Sequence, residues 1–226
     1  MDCTTERIAP RPPVTERRRW LLPFAVEGDL RFLSHQDTLR LFERMLVRAA
    51  IPVRYSEGFN PHPRLMFPLP RPVGVASVAE SAVVELTEDM EAEELQARLV
   101  RQSPMGLRVG AVRRLVASER VHPKAVTYHL ALEPGHNGEL STAAQRLLSS
   151  ETLFVERTDP KSKQKKTKDI RPYVLDVRVD SEAVEFVLRC GGDGSARPLE
   201  ILELLGLNGL AVQHNLRRIH LEWENN

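Results

Sequence analysis

The sequence predicts an α+β fold built from two tandem units, each running β-α-β-β-α-β. Three observations predict it. Apolar residues alternate in some short segments and recur at helical spacing in others. Clusters of Pro, Gly, Asp and Asn separate those segments. The whole order then repeats at a period of roughly 100 residues, long enough for a supersecondary unit of six elements.

Residues 1–18 are rich in Pro, Arg and Thr without an apolar period, so they are expected to form a disordered arm. Trp20 to Val26 alternates as a strand, and Gly28-Asp29 makes a turn. Ser34 is a good helix N-cap, with Asp37 three residues on to reach back as in a capping box. Apolar residues at 38/39, 42, 45, 46 and 49 give the helix, and Pro52 ends it. Val53 to Tyr55 and Arg64 to Leu69 are extended pieces around a turn holding Gly58, Pro61 and Pro63. Pro68, Pro70, Pro72 and Gly74 make a stiff loop. Ser81 to Leu86 reads as a strand, and Met90 to Val100 as a helix with Glu91, Glu93 and Glu94 at its N-terminus. Leu107 to Leu115 is the next strand. The second half repeats the order. Ala125 to Leu132 is a strand, Ser141 to Leu148 a helix, and Thr152 to Arg157 a strand followed by a Lys-rich loop at 160–169. Tyr173 to Val179 and Ala183 to Leu188 form a strand pair, Leu199 to Leu205 a short helix closed by Gly206, and Val212 to Leu221 the last strand. This is the split, ferredoxin-like βαββαβ order. It predicts one unit over 19–116 and a second over 123–222, each an antiparallel sheet with two helices on one face.

Composition bounds the function classes. Apolar and charged fractions of 42% and 28% are those of a soluble globular protein. The apolar runs, such as Trp20 to Leu22, are too short to span a bilayer, and no basic n-region leads into an apolar core. Only Cys3 and Cys190 are present, which suggests neither a disulfide framework nor a metal site, so a cytoplasmic protein without metal or cofactor is expected. The net charge of +1 hides an asymmetry. Residues 1–72 hold twelve Arg against eight Asp and Glu, and residues 80–94 hold seven acids and no base. Five of the six Lys fall at 161, 163, 165, 166 and 168. Local patches therefore say more about partners than the mean does.

Residues 30–70, LRFLSHQDTLRLFERMLVRAAIPVRYSEGFNPHPRLMFPLP, are the most distinctive stretch. Together with the following RPVGVAS and the later KTKDIRPYV, they resemble the radical SAM-linked protein family, a bacterial domain of unknown function. The likeness spans about residues 18–220 and rests on Arg31, Ser34, His35 and Asp37, on Ser56 to Pro63, and on Asp169, Arg171 and Pro172. The resemblance implies a helper for radical SAM chemistry acting on RNA, and it supplies no catalytic residues. Radical SAM enzymes hold a four-iron cluster on three close cysteines, and two distant ones cannot provide it. The chain is therefore expected to serve such an enzyme, not to be one.

Each motif has a functional and a structural explanation. His35, near Arg31, could do acid–base work on RNA with His62, or join the hydrogen bonds of the cap. Arg40, Arg44 and Arg48 recur at i, i+4 and i+8 on the face opposite Leu39, Phe42, Met45, Leu46 and Ala49. They form either a solvated stripe, with Glu43 paired to one of them, or an RNA surface leading from Arg31 towards Arg54 and Arg64. The SEGFNPHPR turn would present Phe59, Asn60, His62 and Arg64 to an unpaired base, or bury Phe59 as a plug. The run Lys161, Lys163, Lys165, Lys166 and Lys168, with Arg171 beyond it, is either a phosphate-binding loop or a solvated hairpin tip. The remaining His show no metal-ligand spacing, and Trp223 is expected to pack. Two functions follow. The first is an RNA-binding accessory protein, non-catalytic by itself, working with a radical SAM enzyme or in RNA processing. The second is a metal-independent ribonuclease or RNA-modifying enzyme using His35 or His62, with a protein–protein adaptor as a third possibility.

Overall fold

The computed structural model describes residues 17–132, 137–159, 162–191 and 194–224. The strands are β1 (Arg18–Val26), β2 (Leu65–Met66), β3 (Ala76–Leu86), β4 (Leu107–Val109), β5 (Arg113–Arg114), β6 (Pro123–Ala131), β7 (Phe154–Thr158), β8 (Lys165–Asp169), β9 (Val174–Val179), β10 (Ala183–Arg189) and β11 (Leu216–Trp223). The helices are α1 (His35–Arg48), α2 (Ala92–Gln102), α3 (Asn137–Ser149), α4 (Pro198–Leu204) and α5 (Gly209–Val212). Among the described residues, nine strands form one sheet in the order β4-β1-β3-β11-β6-β10-β9, with β2 on β3 and β5 on β1. β7 and β8 make a separate two-stranded ribbon.

The fold is α+β, and its sheet is antiparallel at every pairing except β3 with β11. In the first half the neighbours run β4-β1-β3-β2, and in the second β11-β6-β10-β9. Numbering the four strands of each half along the chain, both halves have the order 4-1-3-2. The halves meet where the N-terminal end of β3 lies parallel to β11, Ala76 beside Arg217 and Ser77 beside Arg218. The other end of β3 pairs with β2, so one long strand serves both neighbours on one edge.

Alternation explains the two cores. Trp20, Leu22, Phe24 and Val26 of β1 face Phe42, Met45 and Leu46 of α1 and Leu95 and Leu99 of α2. Leu21 turns to the other face with Val83 and Leu115. The second core joins Tyr128 and Leu130 of β6 and Phe186 of β10 to Leu140 and Leu147 of α3 and Ile201 and Leu202 of α4. Trp223 packs against this core, as expected.

Several sequence expectations need correction. β1 begins at Arg18, inside the segment read as an arm, while residues 1–16 lie outside the described residues. The strand expected over 107–115 is two short pieces: Gly110 N–H still donates to Pro23 O of β1, but proline has no N–H to return the bond, and regular pairing resumes only at Arg113. The last strand starts at Leu216, since residues 209–215 form α5 and a 3-10 turn. The Lys-rich segment is not a loop from 160 to 169. Lys165, Lys166 and Lys168 lie in β8, paired with Thr158, Arg157 and Val155. A strand whose side chains reach water on both faces needs no apolar alternation, so its composition resembles a loop.

Candidate nucleic-acid interface

The candidate site begins at the end of α1. Ala49 caps the helix, Ala50 takes φ +50°, and the N–H groups of Ala50 and Ile51 donate to Val47 O and Leu46 O. This is a Schellman closure with alanine at the left-handed position. It turns the chain back before Pro52 and buries Ile51 beside Leu46. The chain then crosses the end of β3, with Arg54 N–H donating to Glu85 O, and enters the SEGFNPHPR turn. Ser56 N–H donates to His62 O at 2.8 Å, and His62 N–H donates to Ser56 Oγ at 3.0 Å. Gly58 takes φ +127° inside this closed loop, a conformation side chains resist. Arg64 N–H then donates to Arg54 O, which returns the chain to β2.

The consequence is a groove of about 430 Å³ between α1 and the loop. Glu43, Arg44, Val47 and Arg48 form its helix wall, and Tyr55, His62 and two prolines form the other. Val47 is 65% exposed and Tyr55 45%. Arg44 and Arg48 hold no ion pair among the described residues, Glu43 included. Phe59 stands wholly in solvent at the loop tip, so it is not a core plug. Asn60 is exposed beside it.

Other predicted residues fall elsewhere. Arg40 is exposed on the same helix but pairs with Asp37 at 3.3 Å. Arg64 approaches Glu85 at 3.9 Å, while Arg54 binds the same buried carboxylate at 2.9 Å. Arg31 does not continue the stripe. It lies against the Phe32 ring and donates to His214 O at 3.3 Å, which ties it to the second half. His35 packs edge-on against Phe67, 5.7 Å between centroids, and lines a small cavity with Arg71 and Glu80. His62 lines the groove beside Arg44, nine residues along α1, so roughly 14 Å separates the two histidines' surroundings. The two histidines line different cavities. Ser34 does cap α1: its Oγ accepts from Asp37 N–H and donates to Asp37 Oδ2 at 2.6 Å, and that bond holds the Asp37 carboxyl below its ordinary value.

The basic run is divided. Lys161 lies outside the described residues. Lys165 pairs with Glu156 at 3.0 Å, and Lys168 Nζ sits 5.3 Å from the Tyr173 ring centre. Lys163, at φ +57°, and Lys166 are exposed without an ion pair among the described residues. Arg171 is engaged within the protein. Its guanidinium donates to Leu148 O and Ser150 O at the end of α3 and to Val174 O at the start of β9, at 2.8–3.0 Å. Asp169 accepts from the N–H groups of Leu153 and Arg171, which lowers its pKa. The KTKDIRPYV segment thus joins a ribbon to a helix end.

Sequence reasoning missed a buried network where the halves meet. Arg218 of β11 and Glu80 of β3, 1% and 4% exposed, pair at 2.9 Å. Arg218 also donates to Leu69 O, Pro70 O and Tyr128 Oη. Burial pushes the Glu80 carboxyl and the Tyr128 hydroxyl up. Strand parity could have found both charges, since Glu80 shares its parity with Ala82, Val84 and Leu86, and Arg218 with Leu216.

Fold and site define a mixed α+β protein with a mostly antiparallel sheet and one groove rich in arginine and aromatic surface. The chain belongs to the family described as an uncharacterized protein conserved in bacteria (DUF2344), whose model matches residues 19–198. No curated protein matches it. Among solved structures it is similar to a chain of a Cbf5-Nop10-Gar1 complex, with 10% identity and a TM-score of 0.40 over 89% of this chain and 48% of that one. It is also similar to an unknown protein from Galdieria sulphuraria, with 13% identity and a TM-score of 0.26 over 93% of this chain and 100% of that one. The chain thus spans about half the length of the first, and neither score carries a fold or function across. No helix among the described residues is long and apolar enough to cross a membrane.

Proposed function

We propose that the chain is an RNA-binding accessory protein, non-catalytic by itself, built from two ferredoxin-like units and serving a radical SAM enzyme or RNA processing in the cytoplasm. The groove between α1 and the SEGFNPHPR loop carries the reading. Two arginines without ion pairs among the described residues stand beside an exposed tyrosine and a histidine, with Phe59 fully exposed on a loop closed by two hydrogen bonds. Arginines suit phosphates, and aromatic faces suit unpaired bases. The shared 4-1-3-2 strand order supports the two-unit reading. His35 and His62 line different cavities, which does not favour a ribonuclease built on that pair.

Anisotropy of a labelled single-stranded RNA, titrated across salt, tests it. Affinity should fall with salt, by about 0.7 log units per log unit of salt for each phosphate neutralised. The double change Arg44→Ala with Arg48→Ala should lower that slope by roughly 1.4. Phe59→Ala should weaken binding by about 1–3 kcal/mol, the worth of one stacked base, without altering stability. Salt-independent binding, or affinity untouched by these changes, would sink the proposal.

A further inference from the structure

A second concavity is larger than the groove. A cleft of about 810 Å³ opens where the halves meet, within the size range of small-molecule sites of roughly 300–1,000 Å³. Its floor holds Tyr128 and Arg218. Arg120, Arg189 and Arg197 surround it with His122, and among the described lining residues Glu224 supplies the one carboxylate. Arg189 and Arg197 are exposed and hold no ion pair among the described residues. Arg218 is buried and bound to Glu80, yet its Nε–H has no acceptor among the described residues.

Two features narrow the ligand. The excess of guanidinium groups selects an anion, and their planar forks match phosphate oxygens in pairs. The volume is far larger than a bare phosphate, whose size is a few times the ~30 Å³ share of a water. Pro68, Pro70, Pro72 and Pro123 supply the walls: rigid, apolar surfaces suited to the face of a ring. We infer that this cleft binds a phosphomonoester of about mononucleotide size, its phosphate among Arg189, Arg197 and Arg218 and its base against the proline walls. The ligand is either a free nucleotide or the phosphorylated end of an RNA. Its occupancy does not depend on the groove.

Calorimetry of the full chain at constant ionic strength tests this with adenosine 5′-monophosphate, adenosine, and a short RNA with and without a 5′-phosphate. Saturable binding of the monophosphate, at least tenfold tighter than adenosine, is expected if the ligand is a free nucleotide. Binding of the 5′-phosphorylated RNA at least tenfold tighter than its hydroxyl form is expected if the ligand is a chain end. In either case Arg189→Ala with Arg197→Ala should weaken binding at least tenfold at unchanged unfolding temperature, while Arg44→Ala with Arg48→Ala should leave the phosphate preference intact. Lack of any phosphate preference in both pairs of probes overturns the inference, as does a preference that survives loss of Arg189 and Arg197.

Discussion

Replacing Arg218 by Met severs the connection between the halves at its most buried point. Met nearly fills the volume of the arginine stem, so the loss is chiefly polar. It leaves the Glu80 carboxylate, the Leu69 and Pro70 carbonyls and the Tyr128 hydroxyl without this donor. Removing one partner of a buried ion pair typically costs about 3–5 kcal/mol, because the remaining charge is uncompensated. For a chain of this length each kcal/mol moves Tm by about 2–4 °C, so the expected fall is about 6–20 °C. The pH dependence has a definite sign. Burial already raises the Glu80 pKa, and loss of Arg218 removes the chief cation that opposes the rise, leaving Arg71. Between the ordinary value of about 4.3 and the raised folded value, the folded state keeps a proton that the unfolded state has lost. Glu80's contribution to stability thus falls as pH rises through that window and returns on acidification. Urea unfolding followed by fluorescence of the buried Trp20 measures this at pH 5 and pH 7.5. The difference between variant and wild type isolates Glu80 from the other carboxylates. The double variant Glu80→Gln with Arg218→Met should be more stable than Arg218→Met alone, since no buried charge remains unpaired. A loss below about 1 kcal/mol, or a double variant no better than the single one, would refute the reasoning.

Two further outcomes are expected. Ala50→Gly should stabilise the protein by up to about 1 kcal/mol in chemical unfolding, because glycine takes the positive φ of the α1 C-terminus without the Cβ penalty. Arg171→Ala should lower stability by about 2–3 kcal/mol through carbonyls left at the end of α3, yet leave the RNA affinity and its salt slope unchanged.

How much of this was legible in the chain depends on the range of each cause. The cap at Ser34, the buried face of α1 and the alternation of β1 are set by residues within a few positions, and all three could be read from spacing. The groove was half legible. Its arginines and the closed loop were visible separately, but their meeting depends on the left-handed turn at Ala50 and on the pairing of residues 53–65 with the end of β3. No local pattern marks an alanine as a turn residue. Arg31 and Arg171 misled for the converse reason. Their basic character is local, while most of the carbonyls they bind belong to segments 183 and more than 20 residues away. An exposed phosphate ligand and a buried clamp look identical in composition.

Parity separates those two kinds of arginine better than charge does. A strand places alternate side chains on one face, so an ionisable residue in phase with apolar neighbours must find a partner inside. Glu80 is in phase with Ala82, Val84 and Leu86, and Arg218 with Leu216, and each lies on a different half. Opposite charges at inward positions of two distant strands amount to a forecast that those strands lie close together. β3 and β11 do, through a parallel pairing of only a few residues. So short a ladder adds little by itself. The joint therefore rests on burial and on the Arg218–Glu80 network, whose arginine also forms the floor of the cleft. Stability of the joint and occupancy of the cleft then share one guanidinium. A phosphate ligand that binds beside it should raise the unfolding temperature of the whole chain, as any ligand confined to the folded state does.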